Sequence, residues 1–259
     1  MKNTLIFISI FGLTGLASAS LVAWYPLDTD ASDASGNGYD GSVAGGTVNF
    51  GQGGANGNTG GSAAFPDNGH IDVPFDSALN PASFTVTLWA NASSSAGFAS
   101  PVTSRDDVGG GTSTHGFILY NDNGGNWNFW TGDGNPGWDV MVGGTVTTNT
   151  WTHLALTFDA GTETKSIWIN GALAGTETAA AQYSQNGTVE MEALHIGAGQ
   201  DDGANFFFSG NIDDVSIWDE ALDQASIQDI MANSITVVPE PSSLGLLALA
   251  GLALIRRRR

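Results

Sequence analysis

Short runs of alternating apolar and polar residues, separated by clusters of Gly, Asn, Asp, Ser and Thr, recur along most of the chain. The clearest is Ser83–Ala90 (SFTVTLWA), which puts Phe84, Val86 and Leu88 on one face. Trp151–Asp159 (WTHLALTFD) repeats the pattern with Leu154, Leu156 and Phe158. Leu21–Leu27, Thr47–Phe50, Ser62–Phe65, His70–Phe75, Val189–Gly197 and Phe206–Trp218 also read as strands. Ser166–Ala174 reads as a hairpin, because Asn170-Gly171 accepts the positive φ that a two-residue turn demands. One late stretch has a different period: Ile227, Ile230 and Met231 recur at helical spacing behind Asp223, a natural cap. The rhythm predicts an all-β fold, an antiparallel two-sheet sandwich or jelly roll, with one short helix over Asp223–Ala232 docked on it.

The two ends do not follow that rhythm. Lys2, the apolar run Leu5–Leu16 and the small residues Ala17-Ser18-Ala19 predict a signal peptide over residues 1–19. At the other end, Pro239-Glu240-Pro241 precedes an apolar run from Leu244 to Ile255 and the arginines 256–259. Pro239 and Pro241 fix φ and remove backbone donors, so the triplet should be extended and readable by another protein. The apolar run would form a helix of about 18 Å, against a hydrocarbon core of about 30 Å. Ser242, Ser243 and snorkelling arginines make up part of the gap, and the arginines stay on the cytoplasmic side. The segment therefore reads as a separate transmembrane helix suited to transient anchoring. Residues 20–233 form the domain between the two signals, and residues 234–238 form a linker.

In order, position and composition, the tail resembles the PEP-CTERM sorting signal of bacterial exported proteins. The resemblance implies an exosortase that recognises Pro239, Glu240 and Pro241 and processes the chain nearby. It also implies passage through the inner membrane to the cell surface or the extracellular space, often alongside exopolysaccharide.

Between the signals the charge is one-sided. The segment holds all of the 26 acidic residues except Glu240, and of the seven basic residues only Arg105 and Lys165. Such a surface repels phosphate backbones and excludes nucleic acid as a partner, while it attracts divalent cations. There is no cysteine, so disulfides, thiol catalysis and thiolate metal sites are excluded.

A second resemblance covers residues 20 to 233. Ala23–Asp28 (AWYPLD), Asp33–Gly41 (DASGNGYDG), Trp151–Asp159, Ile167–Gly175 (IWINGALAG), Leu194–Ala198 (LHIGA) and Gly210–Leu222 (GNIDDVSIWDEAL) resemble, in this order, the LamG-like jelly-roll domains of the concanavalin A-like lectin/glucanase superfamily. Related domains often hold calcium between the DxSGN loop and a late Asp. Here that implies Asp33, Asn37 and Asp213, with Asp28 and Asp30 nearby. Oxygen donors in a flexible loop suit calcium, and Asp213 falls on the Val215/Ile217 side of its strand, where an inward carboxylate needs a cation or donors. The same Asp and Asn residues also suit turns that satisfy their own backbone.

Trp130 and Trp138 are the candidate sugar-stacking residues, while Trp127 and Phe129 alternate as core residues do. Asp122-x-Gly124-x-x-Trp127 matches part of a sialidase Asp box, but Tyr120 stands where that motif has Ser or Thr, and the stretch reads as a turn. Glu190 and Glu192 share a strand face, yet the ExDxxE strand motif of the superfamily's retaining glucanases is missing. The four histidines, 70, 115, 153 and 195, stand singly. The expected protein is an exported, non-catalytic binding or adhesion module; a matrix or coat protein, and an enzyme with unusual residues, are the competing readings. Protein recovered from outside the producing cell should lack residues 1–19 and 244–259 by intact mass; only full-length chain, held in the inner membrane, would contradict both signals.

Overall fold

A computed structural model describes residues 19–108, 113–178, 183–187, 191–200 and 203–235. Residues 1–18 of the expected signal peptide, residues 236–238 of the linker and the whole expected sorting segment, residues 239–259, lie outside it.

The strands are β1 (Leu21–Tyr25), β2 (Ser42–Gly45), β3 (Asn49–Gly53), β4 (Gly61–Phe65), β5 (Gly69–Val73), β6 (Phe84–Ala92), β7 (Ala99–Val108), β8 (Ser113–Asn121), β9 (Asn126–Asp133), β10 (Asp139–Thr145), β11 (Thr152–Asp159), β12 (Thr164–Ile169), β13 (Ala172–Thr178), β14 (Leu194–Ile196), β15 (Gly199–Gln200), β16 (Ala204–Asn205) and β17 (Gly210–Trp218). An eight-stranded sheet runs β13-β12-β11-β6-β17-β4-β3, with β1 also paired to β17. A seven-stranded sheet runs β10-β9-β8-β7-β14-β5-β2. The registered pairs within both sheets are antiparallel.

Alternation builds the core. Phe84, Val86, Leu88, Leu154, Leu156 and Phe158 of the larger sheet face Phe117, Leu119, Trp127 and Phe129 of the smaller one, all buried. The hairpin turns at Asn170 (φ 50°) and Gly171 (φ 71°) as its dipeptide requires. The predicted helix is α1 (Gln224–Asn233), and the Asp223 carboxylate accepts from the Ser226 N–H at 2.8 Å. Gln224 and Gln228 each donate to the Gly171 carbonyl at 3.0 Å. Asn56 and Asn58, from the β3–β4 loop, donate to the helix-end carbonyls of Met231 (3.3 Å) and Ala232 (2.8 Å). These bonds satisfy acceptors that a helix end leaves open.

Several expectations need correction. Strands β7 and β8 are not evident in the sequence pattern because their buried positions include polar residues such as Ser104, Thr114 and His115, and β2 and β10 are not because they are edge strands that bury almost nothing. The Phe206–Trp218 run begins its strand only at Gly210, after a positive φ at Phe206 (49°). Asp213 does not share a face with Val215 and Ile217. The β17–β6 register shifts between Asp213 and Ser216, and Asp214 adopts φ 50°, the mark of a β-bulge. Asp213 therefore stands opposite Trp89 on the outer side of the sheet, while Ile212, Val215 and Ile217 enter the core.

At the β10–β13 edge, one cation bridges the two sheets. Lys165 of β12 is fully buried between them; its Nζ lies 2.8 Å from Asp139 Oδ2 and 3.7 Å from Glu177 Oε2. It also donates to the Asp139 carbonyl (3.0 Å) and to Thr131 Oγ1 (3.2 Å). Burial lowers the Lys165 pKa, and the two carboxylates work against that shift. Lys165→Met should cost about 2–3 kcal/mol in urea unfolding, near the low end for breaking a buried pair because Asp139 keeps some contact with water. Leu173→Ala, at a position 49% exposed, should stay within about 0.5 kcal/mol.

Candidate functional site

The outer face of the seven-stranded sheet holds the main concentration of rings outside the core. Register places Val140, Trp130, Ile118, Thr103, His195, Asp72 and Ser42 in one row across all seven strands. Trp130 is half-buried, edge-on to Tyr120 (5.2 Å) and Phe98 (5.8 Å). Beside it, Val140 and Val142 are 40% and 55% exposed.

A neighbouring row runs Arg105, Gly116 and Gly132, and Trp138 continues it from just before β10. Neither glycine can carry a side chain: a Cβ at Gly116 would sit 2.0 Å from the Ser104 carbonyl oxygen, and one at Gly132 would sit 2.4 Å from that of Thr114. The row is closed by a side chain at each end. The Arg105 guanidinium lies 5.1 Å from the centre of the Trp138 ring, a cation–π contact. Arg105 is buried and Trp138 is half-buried, so the cation backs a ring that keeps part of its surface accessible.

At the other end of the face, two histidines that stand far apart in sequence meet one carboxylate. His70 Nε2 and His195 Nε2 lie 3.2 and 3.4 Å from Asp72 Oδ1, and the two rings are 5.4 Å apart. Each Nδ1 faces a carbonyl, Asn68 O at 3.1 Å for His70 and Gly199 O at 3.4 Å for His195. Burial lowers the His195 pKa, against the pull of Asp72. Sequence spacing gave no sign of this cluster; it depends on β14 pairing with β5. His153, by contrast, is structural: it is buried against Trp89, and burial lowers its pKa to about 3.

The proposed calcium ligands are already occupied or stand elsewhere. The Asp33 carboxylate accepts from the Trp24, Ser35, Gly38 and Tyr39 N–H groups and from the Ser35 hydroxyl, at 2.8–3.1 Å. Burial opposes its ionisation, but those bonds hold its pKa below the usual range. Asn37 donates to the Leu21 and Val22 carbonyls at 3.0 and 2.8 Å. Asp213 Oδ2 accepts from Ala55 N at 2.8 Å, beneath the β3–β4 loop, while its Oδ1 is buried without a hydrogen-bond partner. Among the described residues, no group of three or more His, Asp or Glu side chains is placed to hold a metal ion. This donor set does not fit calcium as drawn from the sequence.

Asp213 has a different partner set. Burial, with the nearby charges of Asp214 and Asp28, raises its pKa to about 7; burial raises Asp214 to about 6. Asp214 in turn accepts from Trp24 Nε1 (2.9 Å) and Ser234 Oγ (2.5 Å). Of the carboxylates weighed for hydrolysis, Glu190 lies outside the described residues and Glu192 is half-buried.

Two packed antiparallel sheets, one with an aromatic and polar outer face, define a jelly-roll β-sandwich domain. The model of the Concanavalin A-like lectin/glucanases superfamily matches residues 65–228, and the chain belongs to that superfamily. The PEP-CTERM protein-sorting motif matches residues 237–259, which implies export, sorting at the cell surface and processing by an exosortase.

Among solved structures, domain 4 of AbnA, a GH43 extracellular arabinanase from Geobacillus stearothermophilus solved with arabinotriose, aligns with a TM-score of 0.65 and 24% identity. The alignment covers 82% of this chain and 98% of that one. The binding domain of Paraclostridial Mosquitocidal Protein 1 aligns at 0.61 with 16% identity, over 82% of this chain and 52% of that one. The receptor binding domain of botulinum neurotoxin C/D mosaic serotype aligns at 0.59 with 18% identity, over 82% and 51%. These likenesses show the fold. No curated protein sequence matches the chain.

A carboxyl whose folded pKa is raised stabilises the fold fully below its unfolded value of 3.8, and that contribution is lost as pH rises through about 7. Stability should fall between about pH 4 and pH 8, by on the order of 3–4 kcal/mol for Asp213 alone. In urea titrations, Asp213→Asn should flatten that slope; a parent profile with no decline over this range would show that Asp213 ionises freely. Calcium and chelator should leave the melting temperature unchanged, and a calcium response abolished by Asp33→Asn would place an ion on the loop.

Proposed function

We propose that this is a non-catalytic glycan-binding module, exported, sorted by an exosortase and held in or near extracellular polysaccharide. The observation that carries the reading is the Trp138 ring, in a row with two glycines that admit no side chain, backed by a buried guanidinium and still partly accessible. A flat, braced aromatic face takes the apolar face of a sugar ring at little entropic cost, because its own freedom is already lost. Trp130 and Val140 extend the apolar surface. The likeness to an arabinanase domain solved with arabinotriose supports a saccharide as the ligand class. The missing ExDxxE motif supports binding without hydrolysis.

The exported protein should retain one or more polysaccharides in affinity gel electrophoresis across neutral plant and bacterial glycans, with no reducing ends released. Trp138→Ala should weaken retention at least tenfold, in line with the loss of a central aromatic anchor, typically 2 kcal/mol or more. Unchanged retention by that variant would sink the platform.

A further inference from the structure

We propose that a cleft at the far end of the same face is a second saccharide subsite, selective for an uncharged sugar ring. The inference rests on the glycan-binding reading and adds a site and a charge preference to it. The cleft is about 600 Å³ and is lined by Gly45, Gly46, Asp67, Asn68, His70 and Phe207, among others. That volume lies within the range of about 300–1,000 Å³ usual for small-ligand sites.

Its walls divide by chemistry. The Phe207 and His70 rings lie 5.7 Å apart at 45°. Both His70 nitrogens are engaged, Nδ1 with Asn68 O and Nε2 with Asp72, so the ring offers the cleft its carbon surface. Together the two rings form an apolar wall for the C–H face of a sugar. The rim is polar: Asp67 and Asn68 are exposed. Asp67 Oδ1 accepts from the Thr47 and Gly69 N–H groups at 2.6 and 2.9 Å, and these bonds hold its pKa below the usual range. That orients the carboxylate and keeps it charged, an acceptor at the rim for a ligand hydroxyl.

Asp67 on the rim and Asp72 behind His70 set the charge preference. Neither of the domain's two basic residues lines the cleft. A uronate or sulfated unit would meet only negative charge, whereas a neutral unit with a vicinal diol meets an acceptor and a ring.

Four strand spacings, about 19 Å, separate the strand of Trp130 from that of Asp72, so a disaccharide cannot span platform and cleft. Isothermal titration of the exported protein with neutral disaccharides should therefore show two equivalents bound for at least one member of the panel. Phe207→Ala and Asp67→Asn should each remove one equivalent, and Trp138→Ala the other; the matching uronate disaccharides should not occupy the cleft. Asp67→Asn keeps the acceptor oxygen that caps the turn, so it decides the matter if Phe207→Ala lowers the melting temperature. A single equivalent lost with Trp138→Ala and untouched by Asp67→Asn would overturn the cleft and leave the platform standing. A single equivalent lost only with the cleft variants would uphold the cleft and remove the platform. Tighter binding of uronates in the cleft, or no binding by any neutral disaccharide, would also overturn the proposal.

Discussion

The ring of Phe84, at the start of β6, stacks on Phe117 at 5.1 Å and meets Phe129 edge-on at 6.2 Å, both from the opposite sheet. On its own sheet it stacks on Phe158 at 6.2 Å. With no cysteine to cross-link the sheets, this cluster and the aliphatic rows beside it hold the two layers together. Because side chains alternate across a strand, fixing Phe117 and Phe129 inward forces Ile118 and Trp130 outward. The outer face is thus a by-product of the core register, and a one-residue slip in β9 would bury Trp130 and expose Trp127.

The buried polar groups follow a consistent logic. Lys165 crosses the inter-sheet space at the β10–β13 edge, and four oxygens receive its charge. Asp33 sits in a loop whose N–H groups saturate it, so it organises the chain around Trp24 and holds its own charge. Asp213 lacks a donor on one oxygen, and burial raises its pKa against the few hydrogen bonds it has. Two carboxylates in one acidic chain thus shift in opposite directions, the one rich in backbone donors downward and the one poor in them upward.

How much of this could be read from the sequence depended on how many faces of a strand are wet. β6 and β11 announce themselves because their inner positions are large and apolar, and Asn170-Gly171 and Asp223 mark turn and cap by residue type alone. β7 and β8 are hidden because both of their faces are covered: Thr103 and Ser104 are equally buried, so burial no longer tracks polarity. The candidate tryptophans were legible as residue types, but the two glycines that give Trp138 its seat gain meaning only through the pairing of β7, β8 and β9. The Asp213 bulge leaves no mark in a pattern read two residues at a time. The meeting of His70 with His195 is a property of topology, with one residue on each of two strands that pair far along the chain.

The fastening of α1 has a consequence for orientation. Its Ile227 is buried but lies outside the inter-sheet core, and the helix is tied to the β12–β13 turn, to the β3–β4 loop and, through Ser234, to Asp214 beside Trp24. All of these belong to the eight-stranded layer. The polypeptide thus departs from the back of the sandwich, and only residues 236–238 intervene before Pro239. The sorting motif at residues 237–259 thus follows almost directly on that layer in the chain. The Trp138 surface belongs to the opposite layer, away from the point where the described chain ends.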